Sequence, residues 1–276
     1  MNAIARSITL APRNYSFETG AVQTLFWNGA SPSRTFFFDA LSILFPRGER
    51  FFMDSVKAFR SQITDPVLLA QVNGFLSQEA IHTREHVDYN NRLKALGIDI
   101  TPLDERLQRR LERLRQVFTP LQQLAATCAF EHFTAIIADE ILTRPDYFKG
   151  SDTAFQQLWQ WHALEETEHK AVAYDVYKAV SGPNGYWPRI KAMIQVTIAF
   201  NQSLFIHYRY LSRQAGLPVF KATLGLIWVL FGRPGMVRRT FLRYAQFFLP
   251  GFHPWHHDNR KALKRAQAWY DKALKS

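Results

Sequence analysis

The chain has 276 residues, 47% hydrophobic and 21% charged, which suits a globular domain with a buried core and excludes an intrinsically disordered chain. Its one cysteine, Cys128, excludes an intrachain disulfide and a cysteine-held zinc site. The net charge of +11 is uneven: residues 1–183 hold 19 Lys and Arg against 21 Asp and Glu, whereas residues 184–276 hold 15 against 2.

Residues 1–33 read as irregular, with Pro12, Gly20, Gly29 and Pro32 as breakers. No apolar stretch of signal-peptide length stands in Met1 to Gly20, so a reducing, cytoplasmic location is expected. Ser33 can cap a short helix reaching Phe45, and Pro46 is expected to stop it and open the next, to about Ile63. Asp65-Pro66 opens a helix to about Leu96, where Gly97 ends it. Residues 98–120 form a long connection that includes a basic amphipathic piece. Helices from Pro120 to about Thr143 and from Asp152 to about Val180 follow, and Ser181 to Gly185 marks the clearest boundary. Beyond it, helices are expected near 187–213, 218–246 and 255–274. No useful strand alternation appears, so the fold is expected to be all-α: a ferritin-like four-helix bundle with one long crossover, plus additional C-terminal helices. The organisation expected is an irregular segment at 1–33, a four-helix core at 34–181 and basic, apolar helices at 186–276 packed on it.

Four of these helices carry acids in the order Glu49, then Glu79 and His82, then Glu131, then Glu166 and His169. Residues three apart share a helix face, so each Glu-x-x-His can turn a carboxylate and an imidazole to one metal, with the two lone glutamates bridging or capping a pair. Their flanks are apolar, and a buried carboxylate needs a cation. His162 lies four before Glu166 and faces the same way, which makes it a seventh candidate ligand. Glu165 and Glu168 compete with Glu166, but spacing to His169 favours Glu166. His86, one to two turns beyond Glu79 and His82, is a candidate ligand or a partner for a ligand. Asp175 is the leading candidate to hold an imidazole N–H, with Glu85, Asp88 and Asp139 behind it. Thr134, one turn from Glu131, can donate a hydrogen bond toward the centre or to its own helix. Cys128 reads as core.

At these residues the sequence resembles a bacterial family described as predicted metal-dependent hydrolases. The matching stretches are Phe45 to Phe52, Gln78 to His86, Glu131 to Thr134 and Trp159 to Lys170, and the likeness spans roughly residues 10–260. More loosely, the ligand pattern is similar to ferritin-like di-iron oxygenases. The His-x-x-x-Glu-x-x-His of the fourth helix is similar to the p-aminobenzoate N-oxygenases, a resemblance that implies His162 is a ligand too.

Carboxylates and imidazoles without a thiolate suit two iron ions, with manganese as an alternative and zinc ranked below both. Such a centre can activate O2 with an electron donor to oxidise a hydrophobic, lipid-like molecule, or it can act as a hydrolase of an ester or phosphoester. A non-catalytic metal-binding or membrane-associated protein is the third reading. The basic last third, with Trp228, Trp255 and Trp269, fits a membrane surface, a docking face for an acidic carrier protein or plain core packing, and no nucleic-acid motif accompanies the charge.

Overall fold

The computed structural model describes residues 2–273, and the regular elements among them are helices. Beyond a four-residue turn, α1 (Ala3–Arg6), the main elements are α2 (Pro32–Lys57), α3 (Pro66–Ala95), α4 (Thr101–Val117), α5 (Pro120–Thr143), α6 (Thr153–His169) and α7 (Val172–Ser181). They are followed by α8 (Tyr186–Gln214), α9 (Val219–Phe231), α10 (Met236–Gln246) and α11 (Arg260–Ala273). The starts of α3, α5 and α6 follow local capping chemistry. Asp65 accepts the Val67 N–H at 2.9 Å, Asp152 accepts the Ala154 N–H at 2.9 Å, and Thr119 with Gln122 forms a reciprocal capping box ahead of Pro120.

Several boundaries differ from the sequence reading: Ser31 and not Ser33 caps α2, α2 ends at Lys57 and not near Ile63, and α11 starts at Arg260 and not near 255. Pro46 does not stop a helix: α2 runs through it. Proline removes the N–H that would have bonded the carbonyl of Ser42, and Asn90 of α3 replaces it, donating its Nδ2 to the Ser42 oxygen at 3.0 Å. The helix expected over 152–180 is two, separated at Lys170 and Ala171, where buried Lys170 turns its ammonium onto the His257 carbonyl at 2.9 Å and Asn259 at 2.8 Å. The helix expected over 218–246 breaks at Gly232 to Gly235, because Pro234 has no N–H to donate and Gly235 takes a left-handed φ of 81°. The long connection between α3 and α5 is itself a helix, α4, which turns Leu103, Leu107 and Leu111 inward.

Helices α2, α3, α5 and the α6–α7 pair surround the interior, α8 lies across α2 and α5, and α9 and α10 cover the bundle beside it. The apolar core falls into two clusters. One contains Phe36 to Phe38, Tyr89, Ile141 and Phe155 to Leu164; the other contains Phe51, Phe52, Phe75, Leu124 to Ala129 and Val172 to Tyr177. On each of the four helices the chain passes from one cluster to the other across its acidic position. A polar layer therefore divides the core in two.

Candidate metal centre

That layer holds all seven ligand candidates. Glu49 comes from α2, Glu79 and His82 from α3, Glu131 from α5, and His162, Glu166 and His169 from α6, and each is buried. The i, i+3 and i, i+4 spacings bring each pair to the inner face of its own helix. Glu166 lies centrally: its Oε1 is 3.0 Å from His162 Nε2, 3.4 Å from His169 Nε2 and 3.6 Å from His82 Nδ1. His169 Nε2 is also 3.4 Å from Glu79 and 3.6 Å from Glu131. The residues form overlapping groups whose ligand atoms lie within 4.8 Å of one another, including Glu49–Glu79–His82, His82–His162–Glu166 and Glu79–Glu166–His169.

The hydrogen bonds around the centre decide which ring nitrogen of each histidine faces it. His82 turns Nε2 to Glu165 at 3.0 Å; a carboxylate only accepts, so Nε2 carries the proton and Nδ1 is bare. His169 turns Nδ1 to Gln78 Oε1 at 3.1 Å, and the Gln78 amide is held in that sense by donating Nε2 to Glu168 at 3.1 Å. His169 Nε2 is then bare.

His162 is set by a longer chain that begins at Pro46. Asn90 donates Nδ2 to the freed Ser42 carbonyl, so its Oδ1 accepts from the Ser42 hydroxyl at 2.9 Å. That hydroxyl has one proton, so it accepts from His86 Nδ1 at 2.9 Å. Burial pushes His86 well below the usual imidazole range, so it is neutral and its Nε2 accepts from His162 Nδ1 at 2.7 Å. The remaining nitrogen of His162 is a lone pair facing a carboxylate oxygen. Two acceptors that face each other require a cation or a proton between them.

Three lone pairs therefore converge with four carboxylates. Glu49 Oε1, both oxygens of Glu79 and Glu131, Glu166 Oε2, His82 Nδ1 and His169 Nε2 are buried without a hydrogen-bond partner among the described residues. Such groups are costly to bury unless a cation balances them. The protein alone compensates with protons. Burial pushes Glu49 up to about 8, and burial with the neighbouring carboxylates holds Glu79 and Glu131 well above the usual range. Burial resists the charge on His82, but Glu165 and Glu166 outweigh it and raise that imidazole to about 10, so in the protein alone a proton occupies the Nδ1 position that a metal would take. The donor set, oxygen and nitrogen without sulfur, fits iron, manganese or zinc, and four carboxylates match the charge of two divalent ions.

Of the other residues singled out in the sequence, His86 hydrogen-bonds a ligand candidate, His162, and forms a further group of ligand-type atoms within 4.8 Å with His162 and Glu49. Asp175 is a correction: it accepts from His253 at 3.1 Å and holds no imidazole of the centre. Glu85 accepts the Phe17 N–H, Asp139 accepts from Asn259, and Asp88 is exposed. Thr134 donates to the carbonyl of Glu131 at 3.1 Å and lines an apolar cavity of about 70 Å³ between α2, α4, α5 and α8, with Phe45, Gly48, Phe52, Phe130 and Phe200. Cys128 is buried and donates to the Ala173 carbonyl.

Sequence reasoning missed the outer partners. Glu165 and Glu168 are not rivals of Glu166. Both are bound by Arg13, which approaches Glu168 at 2.6 Å and Glu165 at 3.2 Å from the segment read as irregular. Thr83 donates to Glu49 at 3.0 Å, and Asn90 shares a helix face with His86 through its i, i+4 spacing. That spacing was the one visible sign of the chain from Pro46.

No curated protein and no solved structure matches the chain, so the likeness to ferritin-like di-iron proteins rests on the ligand pattern. A family model described as "Predicted metal-dependent hydrolase" matches residues 11–258, which takes in all seven buried ligand candidates. The chain belongs to this family of predicted metal-dependent hydrolases.

Proposed function

We propose that the chain is a metalloenzyme that holds two metal ions between Glu49, Glu79, His82, Glu131, His162, Glu166 and His169 and acts on an apolar substrate. The observation that carries this is the convergence of buried, unpartnered oxygens with three imidazole lone pairs whose outer nitrogens are all engaged elsewhere. The family description supports hydrolysis of an ester or phosphoester as the reaction. Bound metals would supply an activated water and polarise the scissile bond. The chain's own part is to fix the imidazoles, hold the carboxylates in one buried layer and present the substrate along the apolar wall of Phe45, Phe52, Phe130 and Thr134.

A second reading, oxidation of the same class of substrate with O2 and an electron donor, is favoured by one specific observation. Three imidazoles and four carboxylates give a nitrogen-rich, charge-balanced set suited to iron, and the cavity beside them is almost wholly apolar. Bound iron would then supply the redox chemistry, while the residues exclude water and hold the substrate.

The discriminating experiment loads the protein anaerobically with Fe(II), Mn(II) or Zn(II) and offers medium-chain esters and phosphoesters. Turnover without O2 or reductant is the outcome expected of a hydrolase. O2 consumption by the iron form, with no anaerobic turnover for any metal, would assign the second reading. Failure to bind any of the three metals would remove both.

A further inference from the structure

Among the described residues, every exposed large hydrophobic side chain except Val87 and Val117 lies between Trp187 and Leu249. On α8 the exposed Trp187, Ile194, Ile198 and Phe205 recur at intervals of seven, four and seven, which is one stripe of a helix. On α9 Phe220 is 75% exposed, Trp228 62% and Phe231 55%. Helix α10 adds Phe241 and Leu242. Helix α9 packs against both α8 and α10, so the three present neighbouring surfaces. A large apolar surface of this kind marks an interaction site.

The charge on these helices has one sign. No acidic residue occurs between Asp175 and Asp258. Within that stretch Lys191, Arg213, Lys221, Arg233 and Arg238 are exposed among the apolar side chains. We propose that α8, α9 and α10 form a face that docks on an anionic lipid bilayer, with the aromatic side chains of α9 among the headgroups and the basic side chains on lipid phosphates. Two features select a bilayer over a protein partner. Exposed tryptophan and phenylalanine interleaved with arginine and lysine is the composition of helices that lie in the interface plane. The three helices carry cations and no carboxylate of their own, with Asp146 the acid beside Trp228 and Arg233, and this cationic excess complements a surface of uniform negative charge more than the mixed charges of a protein surface. No helix among the described residues is long and apolar enough to cross a membrane, so the face lies on the bilayer and does not span it.

The surface also leads inward. A cleft of about 160 Å³ opens between α8 and α10 at exposed Asn201 and Phe241. Phe200 lines that cleft and also lines the cavity beside Thr134. The docking face and that apolar cavity therefore share a wall.

The test uses the full chain with vesicles of phosphatidylcholine alone and of phosphatidylcholine mixed with phosphatidylglycerol, read by flotation. The expected result is binding to the anionic vesicles that weakens as salt is added, and little binding to the neutral ones. The double variant Phe220→Ser/Trp228→Ser should lose at least about tenfold in partitioning. Val87→Ser, exposed on α3 beside a groove lined by no residue of α8, α9 or α10, should partition like the parent. Bound metal per chain, unchanged in all variants, verifies folding independently of the vesicles. No partitioning onto anionic vesicles overturns the proposal, and so does partitioning that the double variant leaves intact. A dimer in solution that the double variant dissolves, without vesicle binding, assigns the face to a second copy and equally overturns it.

Discussion

In α2, α3, α5 and α6 the acids and histidines point inward and large apolar side chains surround them; in α8, α9 and α10 large apolar side chains point outward with arginines and lysines among them. Both arrangements run against the usual partition between core and water. In the first, His82, His162 and His169 each have one nitrogen held by a neighbour and the other turned to the carboxylates, so the polarity is concentrated at one point. In the second, the apolar area is spread over three neighbouring helices and its charges carry one sign. The comparison shows two ways of leaving a surface unsatisfied. A small interior volume filled with carboxylates calls for compact cations, and a broad apolar face with a basic rim calls for an extended anionic partner.

The sharpest way to break the comparison is Glu166→Ala. This carboxylate touches all three imidazoles, so affinity for Fe(II) or Mn(II) should fall by more than about 100-fold, measured by calorimetry or metal analysis. Metal bound as in the parent would place the centre elsewhere. A smaller loss, roughly 10- to 100-fold, is expected for Gln78→Leu, which frees the outer nitrogen of His169 without removing a ligand. The paired control is Asp175→Asn, which should leave metal affinity as it is, because Asp175 serves His253. The smallest effect is expected for Pro46→Ala. It restores an N–H to compete with Asn90 for the Ser42 carbonyl, so metal affinity should weaken by up to about tenfold. Thermal stability should hold or rise, since a helix-interior proline is removed. Equal affinity in parent and variant would show that Asn90 does not need the freed carbonyl to set His162.

Much of this was legible in the sequence, for a physical reason. The ligands sit at i, i+3 and i, i+4 spacings on helices, and those spacings fix a shared face whatever the tertiary structure. The same holds for the starts at Asp65, Thr119 and Asp152, where capping is local. What could not be read was held by contacts far apart in sequence. Pro46 reads as a stop because its local cost is visible and the amide of Asn90 that offsets it is not. Glu165 and Glu168 read as competitors of Glu166 because nothing near them announces Arg13. Asp175 read as an imidazole partner from its position along the helix, but the break at Lys170 and the approach of His253 give it another neighbour.

Glu168 has a consequence for how the protein is made. Its two oxygens are claimed from opposite ends of the chain, by Arg13 and by Gln267, which reaches Oε1 at 2.9 Å. The carboxylate that steadies Gln78, and through it His169, is thus held by residues 155 positions before it and 99 after it. Contacts of such long sequence separation form late in folding, because the loop they close is entropically expensive. During synthesis the four ligand-bearing helices can emerge and pack well before α11 exists. Gln78, and through it His169, would gain the last of its supports only when that final helix arrives.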